Sequence, residues 1–145
     1  MRIAVLNGPN LNLLGQREPE VYGRTSLAEI EAMVREAAGS QGVQIDWFQT
    51  NHEGAMVEAV QGLRGRVDGA LINAAALTHS SLALRDALLA VKIPFVELHL
   101  SNIFAREPER RHSVIADLAI GMVTGFGAQS YLLALQALMG RLRAA

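Results

Sequence analysis

Five short apolar runs separated by segments of helical period constrain this chain more than any other feature. The runs lie at 3–6, 43–48, 69–76, 95–98 and 120–123, each short and rich in aliphatic residues, as expected of strands covered on both faces. Between them, apolar positions recur at helical spacing. Leu27, Ile30, Met33, Val34 and Ala37 lead up to Gly39, Met56, Val57, Val60 and Leu63 follow the second run, and Leu82, Leu84, Leu88 and Leu89 follow the third. A Leu- and Ala-rich stretch at 126–142 predicts a last helix. Ser26 and Glu29 have the spacing of a capping box, and Ser80 or Ser81 stands where the third-run helix needs its cap. Pro94 falls on the first residue of the fourth strand, where a missing N–H is tolerated.

Strict alternation of strand and helix predicts an α/β fold: a five-stranded parallel sheet with right-handed crossovers and helices on both faces, three layers in all. For five strands the flavodoxin-like, doubly wound order is the commonest arrangement. At 145 residues the chain reads as one domain, 1–145, large enough to bury a core without disulfides or metal. The absence of cysteine excludes a disulfide framework and a thiolate nucleophile, and fits a cytoplasmic protein. A formal charge of −1 and a pI near 6.4 lack the basic footprint of a nucleic-acid binder. No apolar run has the length of a membrane span, and residues 1–7 are too short for an export signal.

Residues 7–24 then stand out, because about eighteen residues of Gly, Pro, Asn and charge fill a connection that usually takes about two to six. In an open parallel sheet, ligands bind beyond the carboxyl ends of the strands. Polar residues gather at that rim here: Asn7 and Asn10 after the first strand, Asn51 and His52 after the second, Asn73, Thr78 and His79 after the third, and His99, Ser101 and Asn102 after the fourth. The opposite rim, with Ser40-Gln41-Gly42, Arg66-Val67-Asp68 and Lys92-Ile93, has no comparable set.

Several of these residues have a plain alternative. Asn7 and Asn10 flank Gly8-Pro9 and suit a turn, and Asn51 reads better as a helix N-cap with His52 on the first turn. His79 can equally cap or pack at its helix start. His99, directly after an apolar strand at the functional rim, reads as a reacting group, with a structural histidine as the alternative. Free tyrosine is only about one part in a thousand ionised at pH 7, so a base at Tyr22 needs a cation, and Arg17 is near in sequence. On spacing alone, a packed Tyr22 beside a surface arginine fits as well. Arg106, Arg110, Arg111 and His112 form a basic cluster that suits either a solvated loop or an anion clamp. The four histidines show no metal-ligand spacing with acidic partners.

The chain as a whole resembles the type II 3-dehydroquinases. The resemblance rests on Asn-Gly-Pro-Asn-Leu-Asn at 7–12, Gly-Gln-Arg-Glu-Pro and Tyr-Gly within 15–23, and Gln-Thr-Asn-His-Glu-Gly at 49–54. It continues through Thr-His-Ser-Ser at 78–81, Asp86-Ala87, Glu-Leu-His-Leu-Ser-Asn at 97–102, a second Arg-Glu-Pro at 106–108 with Arg110 and Ser113, and Gly-Phe-Gly at 125–127.

The resemblance implies anti elimination of water from 3-dehydroquinate through an enolate, in the shikimate pathway of aromatic amino acid biosynthesis, without cofactor or metal. It assigns Tyr22 beside Arg17 as base, Asn10 to a water that stabilises the enolate, and His99 as acid, held by Asn73 and Glu97. Leu100 and Ser101 would take the substrate carboxylate, and Asn73, His79 and Arg110 its ring hydroxyls. Asp86 would reach a neighbouring subunit's site in a homododecamer built from trimers; its alternative is a surface pair with Arg85. Two positions depart from the family pattern: Ala74 where proline is common, and Glu109 where an aromatic often precedes Arg110.

Two rival functions have sequence tests. A flavin or nucleotide module would carry a G-x-G-x-x-G or Walker pattern after the first strand, and neither is present. Imine chemistry would have to use Lys92, the single lysine, which the alternation places at the wrong rim.

Overall fold

The computed structural model describes residues 1–16 and 18–145. The chain runs β1 (Arg2–Asn7), α1 (Pro19–Tyr22), α2 (Leu27–Gly39), β2 (Gln44–Gln49), α3 (Glu53–Gln61), β3 (Gly69–Asn73), α4 (Leu82–Val91), β4 (Phe95–His99), β5 (Gly121–Thr124) and α5 (Gln129–Ala144). The strands form one parallel sheet in the order β2-β1-β3-β4-β5, the flavodoxin-like order.

Side chains alternate across the sheet, so each strand feeds two cores. Ile3 and Val5 of β1, with Leu71, Val96 and Leu98, pack on one face against Ile30 and Val34 of α2 and Tyr131, Leu135 and Leu138 of α5. Ala4 and Leu6, with Ala70, Ile72 and Phe95, pack on the other against Met56 and Val60 of α3 and Leu84 and Leu88 of α4. Both faces of the inner strands are therefore dry, which is why they lack polar alternation. No helix among the described residues is long and apolar enough to cross a membrane.

The capping signals act as their spacing predicts. Ser26 Oγ accepts the Glu29 N–H at 3.1 Å while Glu29 returns a bond to the Ser26 N–H. Ser81, rather than Ser80, caps α4 by accepting the Leu84 N–H at 3.0 Å.

Some boundaries move. β3 stops at Asn73 and not at 76, because the Asn73 side-chain oxygen takes the Ala75 N–H at 3.3 Å and Ala75 turns to φ +53°, into a 3-10 turn over Ala75–His79. The last helix starts at Gln129: Gly125 and Gly127 adopt φ +101° and +60° and form a turn first. The long first connection contains a 3-10 turn, Leu11–Leu13, and the single turn α1, with Pro19 at its first position.

Asn51 is not the N-cap of α3. His52 holds that position, and the Asn51 oxygen instead accepts the Asn10 N–H at 2.9 Å. Gln49 Nε2 adds bonds to Asn51 Oδ1 and the Gly8 carbonyl, both at 3.2 Å. The 49–51 segment thus anchors the base of the first loop.

Candidate active site

The carboxyl ends of β1, β3 and β4 open into one pocket, whose lining brings together Asn10, Tyr22, Asn73, His79, His99, Leu100, Ser101 and Arg110. These residues come from five separate stretches of sequence and meet because the parallel sheet delivers every strand to the same rim.

His99 and Glu97 are two residues apart on β4, so they share a face of the sheet. His99 Nε2 lies 2.5 Å from Glu97 Oε2, and the carboxylate's other oxygen accepts a bond from Ser113 Oγ at 2.8 Å. Glu97 is 0% exposed and His99 4%. A buried carboxylate is tolerated only when its oxygens are satisfied, and here both are. Since Nε2 is taken, Nδ1 is the ring nitrogen left for chemistry.

Asn73 sits beside Asn7 in the β1–β3 register. Its Nδ2 donates to the Tyr131 hydroxyl at 3.0 Å, and that hydroxyl donates to Asn7 Oδ1 at 2.6 Å. Complete burial pushes the Tyr131 phenol well above its ordinary pKa, which keeps the donating proton in place. Asn73 is thus held by Tyr131 and by the turn at Ala75. Among the bonds of the described residues, none joins it to His99, whose support is Glu97.

Arg17 lies outside the described residues. Tyr22 nonetheless meets a cation: Arg106 Nη1 donates to its hydroxyl at 3.0 Å, with the guanidinium carbon 5.3 Å from the ring centre. Arg106 also lines the pocket. In sequence Arg106 is not distinguished from its basic neighbours Arg110, Arg111 and His112 except by the second Arg-Glu-Pro, which it opens. Arg110 pairs with Glu107 at 3.0 Å, and it is Glu107, rather than the unusual Glu109, that orients it.

His79 Nδ1 lies 2.7 Å from the His112 carbonyl, and His112 Nε2 lies 2.9 Å from the His79 carbonyl. The His79 ring stacks toward His99, centroids 6.5 Å apart. Partial burial holds His79 below the ordinary histidine pKa; the bond to the His112 carbonyl opposes this, and charge on His99, Arg110 and His112 adds to it.

Around Leu100 and Ser101 the backbone carbonyls are engaged. The Leu100 oxygen accepts from the Gly127 N–H at 2.9 Å and the Ser101 oxygen from Thr124 Oγ1 at 2.9 Å. Asp86 does not line the pocket; it is exposed on α4, and its neighbour Arg85 pairs with Asp117 at 2.6 Å rather than with Asp86. Lys92 forms the C-cap of α4, ahead of β4 and so at the rim away from His99.

The family model described as Dehydroquinase class II matches residues 1–139. A protein of Synechococcus sp. (strain WH7803) named 3-dehydroquinate dehydratase is 59% identical over 143 residues, covering 99% of this chain and 97% of that one. A catabolic 3-dehydroquinase of Penicillium rubens is 54% identical, covering 92% of this chain and 86% of its own. Among solved structures, the type II dehydroquinase of Butyrivibrio crossotus superposes with a TM-score of 0.93 at 39% identity, over 96% of this chain and 97% of that chain. With a match over nearly its full length and this sheet order, the chain belongs to the class II dehydroquinase family.

Proposed function

We propose that the protein is a 3-dehydroquinate dehydratase, a hydro-lyase of the shikimate pathway that eliminates water from 3-dehydroquinate to give 3-dehydroshikimate. The observation that carries the reading is the placement of two proton-transfer groups in one pocket: Tyr22 against the Arg106 guanidinium, and His99 backed by the buried Glu97.

In this reading Tyr22, as phenolate, removes the proton alpha to the ketone. Arg17 is the cation that the family resemblance assigns to this base, and the Arg106 guanidinium holds the Tyr22 oxygen in place. Asn10 holds a water against the developing enolate oxygen. His99, doubly protonated for this step with its Nε2–H directed at Glu97, then delivers its Nδ1 proton to the leaving hydroxyl and returns to the neutral ring. Leu100 and Ser101 bind the substrate carboxylate, and Asn73, His79 and Arg110 its ring hydroxyls. The loop carrying Arg17 and Tyr22 closes over the bound substrate.

The whole chain, 1–145, acts as a single catalytic domain in the cytoplasm, within a homododecamer built from trimers. Exposed Leu82 and Leu89, at 63% and 45%, lie on the same helical face as Asp86. That mixed face suits burial against a second subunit whose pocket Asp86 enters.

The test is to add 3-dehydroquinate to the metal-free protein and follow the ultraviolet absorbance of the conjugated enone. Absorbance should rise, and no rise would refute the assignment. Tyr22→Phe and His99→Ala should each lower kcat by roughly a hundredfold or more, and an unchanged rate would refute the roles. Sedimentation should show an oligomer, and activity in a monodisperse monomer would refute the shared site.

A further inference from the structure

Two consecutive residues at the end of the 101–113 loop each touch the support of a different pocket imidazole. The His112 carbonyl meets His79 Nδ1 at 2.7 Å, and the Ser113 hydroxyl meets Glu97 Oε1 at 2.8 Å. We propose that His112 and Ser113 are positioning residues that set opposite tautomers on the two site histidines, His79 protonated on Nδ1 and His99 on Nε2. This deepens the dehydratase reading and rests on it for the consequences in turnover, but the tautomers themselves are properties of the free protein.

The argument for His79 is one of hydrogen-bonding capacity. A backbone carbonyl can only accept, so the ring nitrogen facing it carries the proton. Neutral His79 therefore presents Nε2 as a bare acceptor, the form suited to receive a bond from a substrate hydroxyl. His112 holds the arrangement from the other side, because its own Nε2–H donates to the His79 carbonyl at 2.9 Å. The ionisable groups around this ring are His99, His112 and Arg110; each, when charged, opposes a second proton on it, as does burial.

For His99 the argument runs through Glu97. Ser113 Oγ accepts the Ile115 N–H at 3.2 Å, which leaves its hydrogen to be donated to Glu97 Oε1. Ser113 occupies Oε1 and so leaves Oε2 as the oxygen that faces His99 Nε2; in the proposed arrangement that oxygen accepts and the proton between them lies on Nε2. Ser113 thus fixes the rotation of Glu97, and through it the nitrogen that His99 presents to substrate. The acceptor at Nε2 of His79 and the choice of Nδ1 as the His99 nitrogen turned to substrate are set by neighbouring positions on one loop, which also carries Arg106 and Arg110.

Long-range proton–nitrogen NMR of the 15N-histidine-labelled protein without substrate reads both tautomers directly, whether or not it dehydrates 3-dehydroquinate. The expected result is His79 protonated on Nδ1 and His99 on Nε2; the reverse tautomer at either ring overturns the proposal. In Ser113→Ala the His99 Nε2 proton should exchange with solvent faster, and kcat should fall by roughly tenfold to a hundredfold with KM within about twofold. Ser113→Thr, which keeps the hydroxyl, should restore both. His112→Ala should instead raise KM several-fold and leave kcat nearly unchanged. Equal losses in kcat and KM in both alanine variants, or no change in either, would refute separate positioning roles. Should Ser113→Ala not fold, the native tautomers and the Ser113→Thr rates decide the matter.

Discussion

Arg106 donates to the Tyr22 hydroxyl at 3.0 Å across 84 positions of sequence, joining the first loop to the loop after β4. In the proposed mechanism that oxygen takes the substrate proton, and the guanidinium fixes where it sits in the pocket. Arg106→Ala should lower kcat by roughly a hundredfold to a thousandfold in the enone absorbance assay. Arg106→Lys should fall between, since an ammonium keeps the charge but loses the planar contact over the ring. A kcat within twofold of native for Arg106→Ala would remove Arg106 from the base.

Tyr131 tests the scaffold rather than the chemistry. Its hydroxyl is the shared partner of Asn7 and Asn73 in a layer where Tyr131 and Asn7 are 0% exposed. Tyr131→Phe leaves Asn7 Oδ1 without its donor and removes the acceptor for Asn73 Nδ2. Buried polar groups stranded in this way cost about 1–3 kcal/mol each, so the urea midpoint should drop by an equivalent of about 2–4 kcal/mol. Because Asn73 lines the pocket, KM should rise as well. A midpoint equal to native would show that water replaces the hydroxyl.

The fold was legible because its signals are local and repeated: five apolar runs, helical periodicity and serine caps each point to the same alternation. The Glu97 support of His99 came only with the family resemblance; the strand geometry explains it afterwards, since a spacing of two puts both side chains on one face. What could not be read were contacts made across the chain. The Arg106–Tyr22, Tyr131–Asn7 and Ser113–Glu97 bonds depend on where loops land after the sheet has formed. Asn51 shows the same limit from the other side. Its composition suited a cap, and a long-range partner, the Asn10 N–H, took its oxygen instead.

Gly8 is required by a close approach and not by its dihedral. A Cβ built there would lie 2.3 Å from the Ala74 oxygen and 2.6 Å from the Ala74 carbonyl carbon, and both are backbone atoms. The same approach forms the bond from the Gly8 N–H to the Asn73 oxygen at 2.8 Å. Gly8→Ala must part the ends of β1 and β3, and should cost about 2–3 kcal/mol or more by thermal or urea unfolding. Activity should fall with it, because Asn10 and Asn73 flank the gap. Gly54→Ala is the control: beyond its chain neighbours and its own helix backbone no atom lies within 4 Å of a Cβ there, and it should be neutral or stabilise by up to about 1 kcal/mol. Equal behaviour of the two variants would contradict the steric account.

His79 gives stability a pH dependence whose sign follows from its environment. Burial, with charge on His99, Arg110 and His112, holds its folded pKa below the 6.5 of an unperturbed histidine, despite the bond to the His112 carbonyl. Between that folded value and 6.5 the unfolded chain binds a proton that the folded chain does not. Unfolding free energy therefore rises with pH across this window. The contribution is fully present above pH 6.5 and is lost as pH falls through 6.5 toward the folded pKa. Urea midpoints of the native protein and of His79→Gln, measured from pH 5 to 7.5, should converge toward the acid end and separate toward neutrality, because only the native protein gains the His79 increment as pH rises. A constant difference between the two across that range would show that His79 binds protons alike in the folded and unfolded chain.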